Sequence, residues 1–231
     1  MQQILWFSLL AIGLAACGDG SRTLAGATPP AARPSDVTAR QALDDRRGEL
    51  VDPDASAMVF LYYQLAGIDP PIDEWIEQDL RVLSAPAIDK AARRTAVRAE
   101  LEAAARAVQD VGVIHLTMNA NLSDYDPSYG EFTIGALAPS SYVPFDAFRQ
   151  KIALSFSNGR TAQIWSVPQD QAQAIRDQLG SGRDASLDVT VRITGVQPRP
   201  NGGAVLAAVM DYELRQRNTG QRIVRVQVAD R

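Results

Sequence analysis

Cysteine occurs once in the 231 residues, as Cys17, and histidine once, as His115. A lone cysteine has nothing to pair with, so no disulfide framework holds the fold. Zinc is disfavoured because its usual Cys and His ligands are missing. Any Ser–His–Asp set would rest on His115 alone, and there is no Gly-x-Ser-x-Gly elbow. Lysine is scarce, with only Lys90 and Lys151, and the net charge is a mild −4. No dense basic patch with interleaved aromatics is present, which argues against nucleic acid as a partner. Apart from residues 4–16, no apolar run approaches membrane-spanning length, and no internal repeat is visible.

Residues 4–16 are almost wholly apolar, although no Lys or Arg precedes them. Thirteen helical residues reach about 20 Å at 1.5 Å each, short of a hydrocarbon core of about 30 Å. A short apolar run ending in small residues is the pattern of a secretory signal. It ends in Leu14-Ala15-Ala16-Cys17, which resembles the lipobox of bacterial lipoproteins. The resemblance implies a signal peptide over residues 1–16, diacylglycerol transfer to the Cys17 thiol, cleavage before Cys17, and acylation (palmitate) of the new amino group. Several acyl chains give a durable membrane anchor where one does not. In enteric relatives of that family, Asp directly after the cysteine marks inner-membrane retention. Gly18 stands there and Asp19 follows, so the resemblance favours the outer membrane, with the folded part on the periplasmic face.

Cleavage after residue 16 would leave 231 − 16 = 215 residues, enough for one large domain or two small ones. Residues 17–50 read as the lipidated cysteine and a flexible tether rich in Gly, Ala, Ser and Pro, with a short helix around 37–47. Such a composition buries too little surface to offset its ordering entropy.

Residues 51–231 read as a single α+β domain, with a helical part (51–111) and a β-rich part (112–231). A first helix is expected over 53–65, with Met58, Leu61, Tyr62 and Leu65 at helical spacing and Gly67 as its stop. A second is expected over 71–83, carrying Ile72, Trp75, Ile76, Leu80 and Leu83 on one side. The third spans 88–109, with a seam of Val97, Leu101, Ala104 and Val108, closed by Gly112.

From Val113 the period changes to two. Ile114, Leu116, Met118, Ala120 and Leu122 share one face of a strand, and Val113, His115, Thr117, Asn119 and Asn121 share the other. Further strands are expected at 131–137, 149–157, 161–167, 186–196, 204–215 and 222–229, with a helix over 168–179. Asn158-Gly159 between two strand-like runs predicts a type I′ hairpin. Tight turns are also expected at Asn201-Gly202-Gly203 and Asn218-Thr219-Gly220. The sum is a helical segment packed on a mostly antiparallel β sandwich or partly open barrel, with one intercalated helix.

Chemistry is sparse. His115 lies on the polar face of its strand and would need an orienting carboxylate to act as a base; a structural or solvent-facing role is expected. The loop Asp124-Tyr125-Asp126-Pro127-Ser128-Tyr129-Gly130 offers oxygens at alternate positions. An EF-hand frame fails, with Tyr129 in place of its Gly and Gly135 in place of its Glu. An ordinary turn is the simpler reading, a cation site the alternative. No catalytic residue, cofactor or metal ligand is assigned.

The Asp-Tyr-Asp loop, the helix after Pro168 and the closing three strands resemble uncharacterised families of secreted proteobacterial proteins, a likeness that implies no activity. The leading reading is a non-catalytic envelope lipoprotein: a binding or assembly module, membrane-bound through Cys17 and met by an envelope protein partner. The alternative is a lipid-anchored hydrolase built on carboxylates, with Asp124, Asp126 or Asp211 as candidates.

Overall fold

The computed structural model describes residues 42–179, 185–199 and 202–229. The signal, Cys17 and the tether to residue 41 lie outside the described residues, as does most of the Asn201 turn. Among the described residues, no helix is long and apolar enough to cross a membrane.

The α+β expectation is borne out. A seven-stranded mixed sheet runs in the order β1-β2-β7-β8-β5-β4, with β9 also on β8. Its strands are β1 (Gly48–Val51), β2 (Val111–Asn119), β4 (Tyr142–Ala147), β5 (Gln150–Phe156), β7 (Ala185–Arg199), β8 (Gly202–Gln216) and β9 (Arg222–Gln227). β1 with β2 and β5 with β8 are parallel pairs; the other four pairings are antiparallel. The sheet is open, ending at β1 and β4. A second, two-stranded sheet joins β3 (Glu131–Thr133) to β6 (Ile164–Ser166), where the Phe132 and Trp165 rings stack at 5.1 Å.

Helix α1 (Ala55–Ala66) is capped by Asp54, whose carboxylate accepts the Ala57 amide at 2.8 Å, and ends at Gly67 with φ 65°. Five consecutive residues, Met58 to Tyr62, are buried. A helix apolar all round is buried all round: α1 packs on β4, β5, β7 and β8 and also against α4. Burial of five large side chains here contributes on the order of 10 kcal/mol before entropy is counted.

The second expected helix is two. α2 (Ile72–Gln78) stops at Asp79, whose backbone is extended and whose carboxylate caps α3 (Leu80–Leu83) by accepting the Arg81 amide. The break rotates the seam, so Val82 is buried while Leu80 and Leu83, expected inside, face solvent. Helix α4 (Lys90–Ala107) follows the expected seam: Val97 and Val108 are buried, and Leu101 and Ala104 pack beside the core. Gly112 lies inside β2 and does not close the helix. Trp75 of α2 stacks on Phe148 at 4.4 Å and meets Phe60 edge-on at 5.5 Å, joining α1, α2 and the β4–β5 turn.

Three expectations need correction. First, residues 42–50 belong to the fold rather than the tether. Residues 42–44 are helical, β1 pairs with β2, and Arg46 reaches inward to bond Gln64 Oε1 at 2.6 Å and the Val111 carbonyl at 3.2 Å. Burial lowers the Arg46 pKa, against the opposing pull of Asp110.

Second, Asn158-Gly159 makes no I′ hairpin. Asn158 has φ −104°, and Gly159 opens the helical turn α5 (Gly159–Ala162), which hands the chain from one sheet to the other. Gly159 is required by space: a Cβ there would lie 2.5 Å from the Leu137 carbonyl oxygen. The two-residue turn with both φ positive is instead Phe148-Arg149 (52° and 59°), between β4, which the sequence reading missed, and β5.

Third, period two over residues 204–215 puts Leu206, Ala208, Met210, Tyr212 and Leu214 on one face, and this alternation does not hold along the whole of β8. Val205, Ala207 and Val209 are buried, then Tyr212 and Leu214; Leu206, Ala208 and Met210 are only half-buried. The register shift opposite Thr190 and Val191 is a bulge, and an extra residue inverts which parity faces the core. Shorter revisions fall on 131–137, where β3 gives way to a 3₁₀ turn (Gly135–Leu137), and on 161–167, where only β6 is strand. The 168–179 helix is α6 (Gln169–Leu179), and the Asn218-Thr219-Gly220 turn is present, with Gly220 at φ 69°.

Candidate functional site

The bulge in β8 also decides what the open face of the sheet presents. Past it, Asp211, Glu213 and Arg215 turn away from the core. The register sets Asp211 beside Thr190 and His115, and Glu213 beside Asp188 and Thr117. With Val51, Asp52 and Arg225 these residues line a shallow open groove of about 230 Å³.

Its charges are matched across strands. Arg215 Nε meets Asp188 Oδ2 at 2.9 Å, and its terminal nitrogen also pairs with Glu213. Arg222 approaches Glu213 at 3.9 Å, and Arg225 pairs with Asp211 at 3.1 Å. Asp52 accepts the Thr117 amide at 2.7 Å.

His115 is better placed than its strand pattern foretold. Its Nε2 lies 3.2 Å from Glu49 Oε2, and its Nδ1 lies 3.3 Å from Thr190 Oγ1. The orienting carboxylate comes from β1, a strand hidden in what reads as tether. A hydroxyl, an imidazole and a carboxylate in a row have the order of a nucleophile relay. A relay also needs amide donors aimed at a developing oxyanion. Here the neighbouring Thr117 amide is committed to Asp52, and His115 and Thr190 are themselves paired across the β2–β7 ladder.

Asp124 and Asp126 lie elsewhere, between β2 and β3, and are not brought to Asp211. Asp126 Oδ1 accepts the Ser128 amide at 2.8 Å, its amide donates to the Glu131 carbonyl, and Gly130 takes φ 70°. This is the geometry of a side-chain-capped turn. Tyr125 packs on Phe132 and donates to the Val167 carbonyl at 3.0 Å, so it pins the loop to the small sheet, while Tyr129 is exposed. Among the described residues, no group of three or more His, Cys, Asp or Glu side chains is arranged to hold a metal ion.

Against known proteins, the chain matches no family model, no curated protein and no solved structure.

Proposed function

We propose that this protein is a lipid-anchored envelope lipoprotein, held at Cys17 in the outer membrane, whose folded part serves as a non-catalytic binding or assembly module in the periplasm. The anchor and its location rest on the resemblance of Leu14-Ala15-Ala16-Cys17 to a lipobox and on Gly18. The binding reading rests on one observation: the groove is an open strand surface on which Asp188, Asp211 and Glu213 are ion-paired with Arg215 and Arg225 of β8 and β9. Such a face suits recognition of a polar protein surface, where matched charges set orientation and specificity. The hydrolase alternative keeps one support, the Glu49–His115–Thr190 contact beside Asp211.

Metabolic labelling with a radioactive fatty acid tests the anchor: label in wild type and none in Cys17→Ala is expected, and equal label overturns it. Density-gradient fractionation tests the outer-membrane assignment, which recovery with inner-membrane markers would overturn. A photocrosslinking residue at Thr117 tests the module. An adduct with one envelope protein, lost on Arg225→Glu, is expected. No adduct, together with ester or glycoside hydrolysis abolished by His115→Ala, would install the hydrolase instead.

A further inference from the structure

Three bulky aliphatic side chains stand in solvent within nine residues: Leu80 (78% exposed), Leu83 (56%) and Ile88 (91%). The other large exposed hydrophobics, such as Val51, Ile68, Tyr129 and Tyr142, are single, and scattered single ones are ordinary. This stretch is firmly mounted. Val82 is fully buried with Ile76 and Val97, Asp79 caps the turn, and Arg81 is tied to Asp79 at 2.9 Å and to Glu100 at 2.8 Å. Leu80 and Leu83 are three apart, hence on one side of their single turn. Lys90 and Arg93 follow Ile88 and the intervening Asp89 in the first turn of α4, and Arg149 shares with Leu80 and Phe148 a hollow also lined by the Asp79–Arg81 pair.

We infer that this tip seats in the headgroup layer of the bilayer that holds the acyl chains on Cys17, an inference that rests on the lipid-anchor reading. The length of chain outside the described fold brings the bilayer within reach of this tip. From Cys17 to Ala42 is 25 residues, able to span at most about 80–90 Å. A domain of this size is about 40–50 Å across, less than that reach, so the length of chain lets any of its faces meet the membrane that holds Cys17. An aliphatic tip flanked by cations is the feature that selects one orientation, with the apolar groups at the headgroup–acyl boundary and the cations on anionic headgroups. Contact through α3 is compatible with the strand groove remaining open to a partner.

Cys17 is the only cysteine, and lipidation consumes its thiol, so one introduced cysteine can carry an environment-sensitive dye in the full, lipidated chain. Leu83→Cys, Ile88→Cys and, as a control, Tyr129→Cys are reconstituted in phosphatidylethanolamine–phosphatidylglycerol vesicles with brominated acyl chains. Quenching at 83 and 88 at least about two-fold stronger than at 129 is expected, for an insertion depth of about 5–10 Å, and its loss from position 83 on Ile88→Asp. Equal or absent quenching on vesicles that still float the protein overturns the inference and leaves the anchor standing. A wild-type chain that does not float overturns the anchor and this inference with it. In-cell crosslinking from position 88 to a protein, without lipid quenching, reassigns the tip to a protein partner.

Discussion

Asn158 and Val209 form a rung of β-ladder in which one partner is a side chain. The Val209 amide donates to Asn158 Oδ1 at 2.8 Å, and Asn158 Nδ2 donates to the Val209 carbonyl at 2.9 Å. β8 needs it because two strands share one of its edges. β5 covers that edge as far as Ala207 and β9 covers it from Asp211, with Val228 donating to Met210. At the gap, a carboxamide supplies the donor and acceptor of a missing peptide. Asn158→Ala is therefore expected to cost about 2–3 kcal/mol, since it strands two strand groups. Asn158→Asp should cost at least as much, by setting a carboxylate against a carbonyl. Urea denaturation of the variants measures both.

Gly159 separates a steric requirement from a conformational one. Its backbone is ordinary, but a Cβ would meet the Leu137 oxygen at 2.5 Å. Gly159→Ala should then destabilise by about 2 kcal/mol or more, and Gly159→Val only somewhat further, because the first carbon already collides. If alanine were tolerated and only valine were harmful, the close approach would be wrong.

Arg149 occupies the second position of the β4–β5 turn with φ 59°, a region that costs a non-glycine L-residue about 1–2 kcal/mol. Arg149→Gly should raise stability by about 0.5–1 kcal/mol net of the greater freedom glycine gives the unfolded chain. Phe148→Gly should do the opposite: it relieves the same strain but removes the ring stacked on Trp75. Opposite shifts in melting temperature for the two variants are the expected result.

The elements legible in the sequence are those whose pattern repeats over two turns or more. The α1 core residues, the α4 seam, the two faces of β2 and the β8–β9 turn are written in periodicity and in Gly67 and Gly220. β1 escaped because four residues, only alternately half-buried, carry too little pattern, and with it went Glu49, the partner of His115. β4 escaped because Pro144 and Asp146 disguise an edge strand. The bulge in β8 is the costliest omission. Period two already sets Asp211, Glu213 and Arg215 opposite Tyr212 and Leu214; what it misses is that the register slip against β7 turns Val205, Ala207 and Val209 inward in place of Leu206, Ala208 and Met210. The Asn-Gly pair misled for a related reason: local turn preference is weak beside the demand of β8 for a partner at Val209.

Tyr212 offers a test of the core beneath the groove. Its ring is fully buried, and its hydroxyl has no hydrogen-bond partner among the described residues. Burial pushes its pKa upward, favouring the neutral phenol. Removing an unsatisfied hydroxyl relieves its desolvation cost and loses little packing, so Tyr212→Phe should stabilise by about 1 kcal/mol. A loss of stability in urea denaturation would show that the hydroxyl is satisfied.

Acid should weaken the α2–α3 junction through Asp79. Side-chain bonds from Arg81, assisted by the Arg81 amide and charge, hold its carboxyl below the usual carboxylate value, against a smaller opposing effect of burial. A depressed folded-state pKa means that the stabilisation is fully present above the unfolded value, about 3.9, and is lost as pH falls through the lower folded value. Glu77, lowered chiefly by its bonds to Arg94, shifts in the same direction and ties α2 to α4. Asp79→Asn keeps a side chain able to cap α3 and removes the charge. The variant should melt below wild type at neutral pH, and the gap should narrow as the pH falls below the unfolded value and through the lower folded one. The effect is small, since the pair is solvent-exposed and screened, and it should shrink further in high salt. A gap that persisted undiminished at low pH would place the role of Asp79 in capping geometry rather than in its charge.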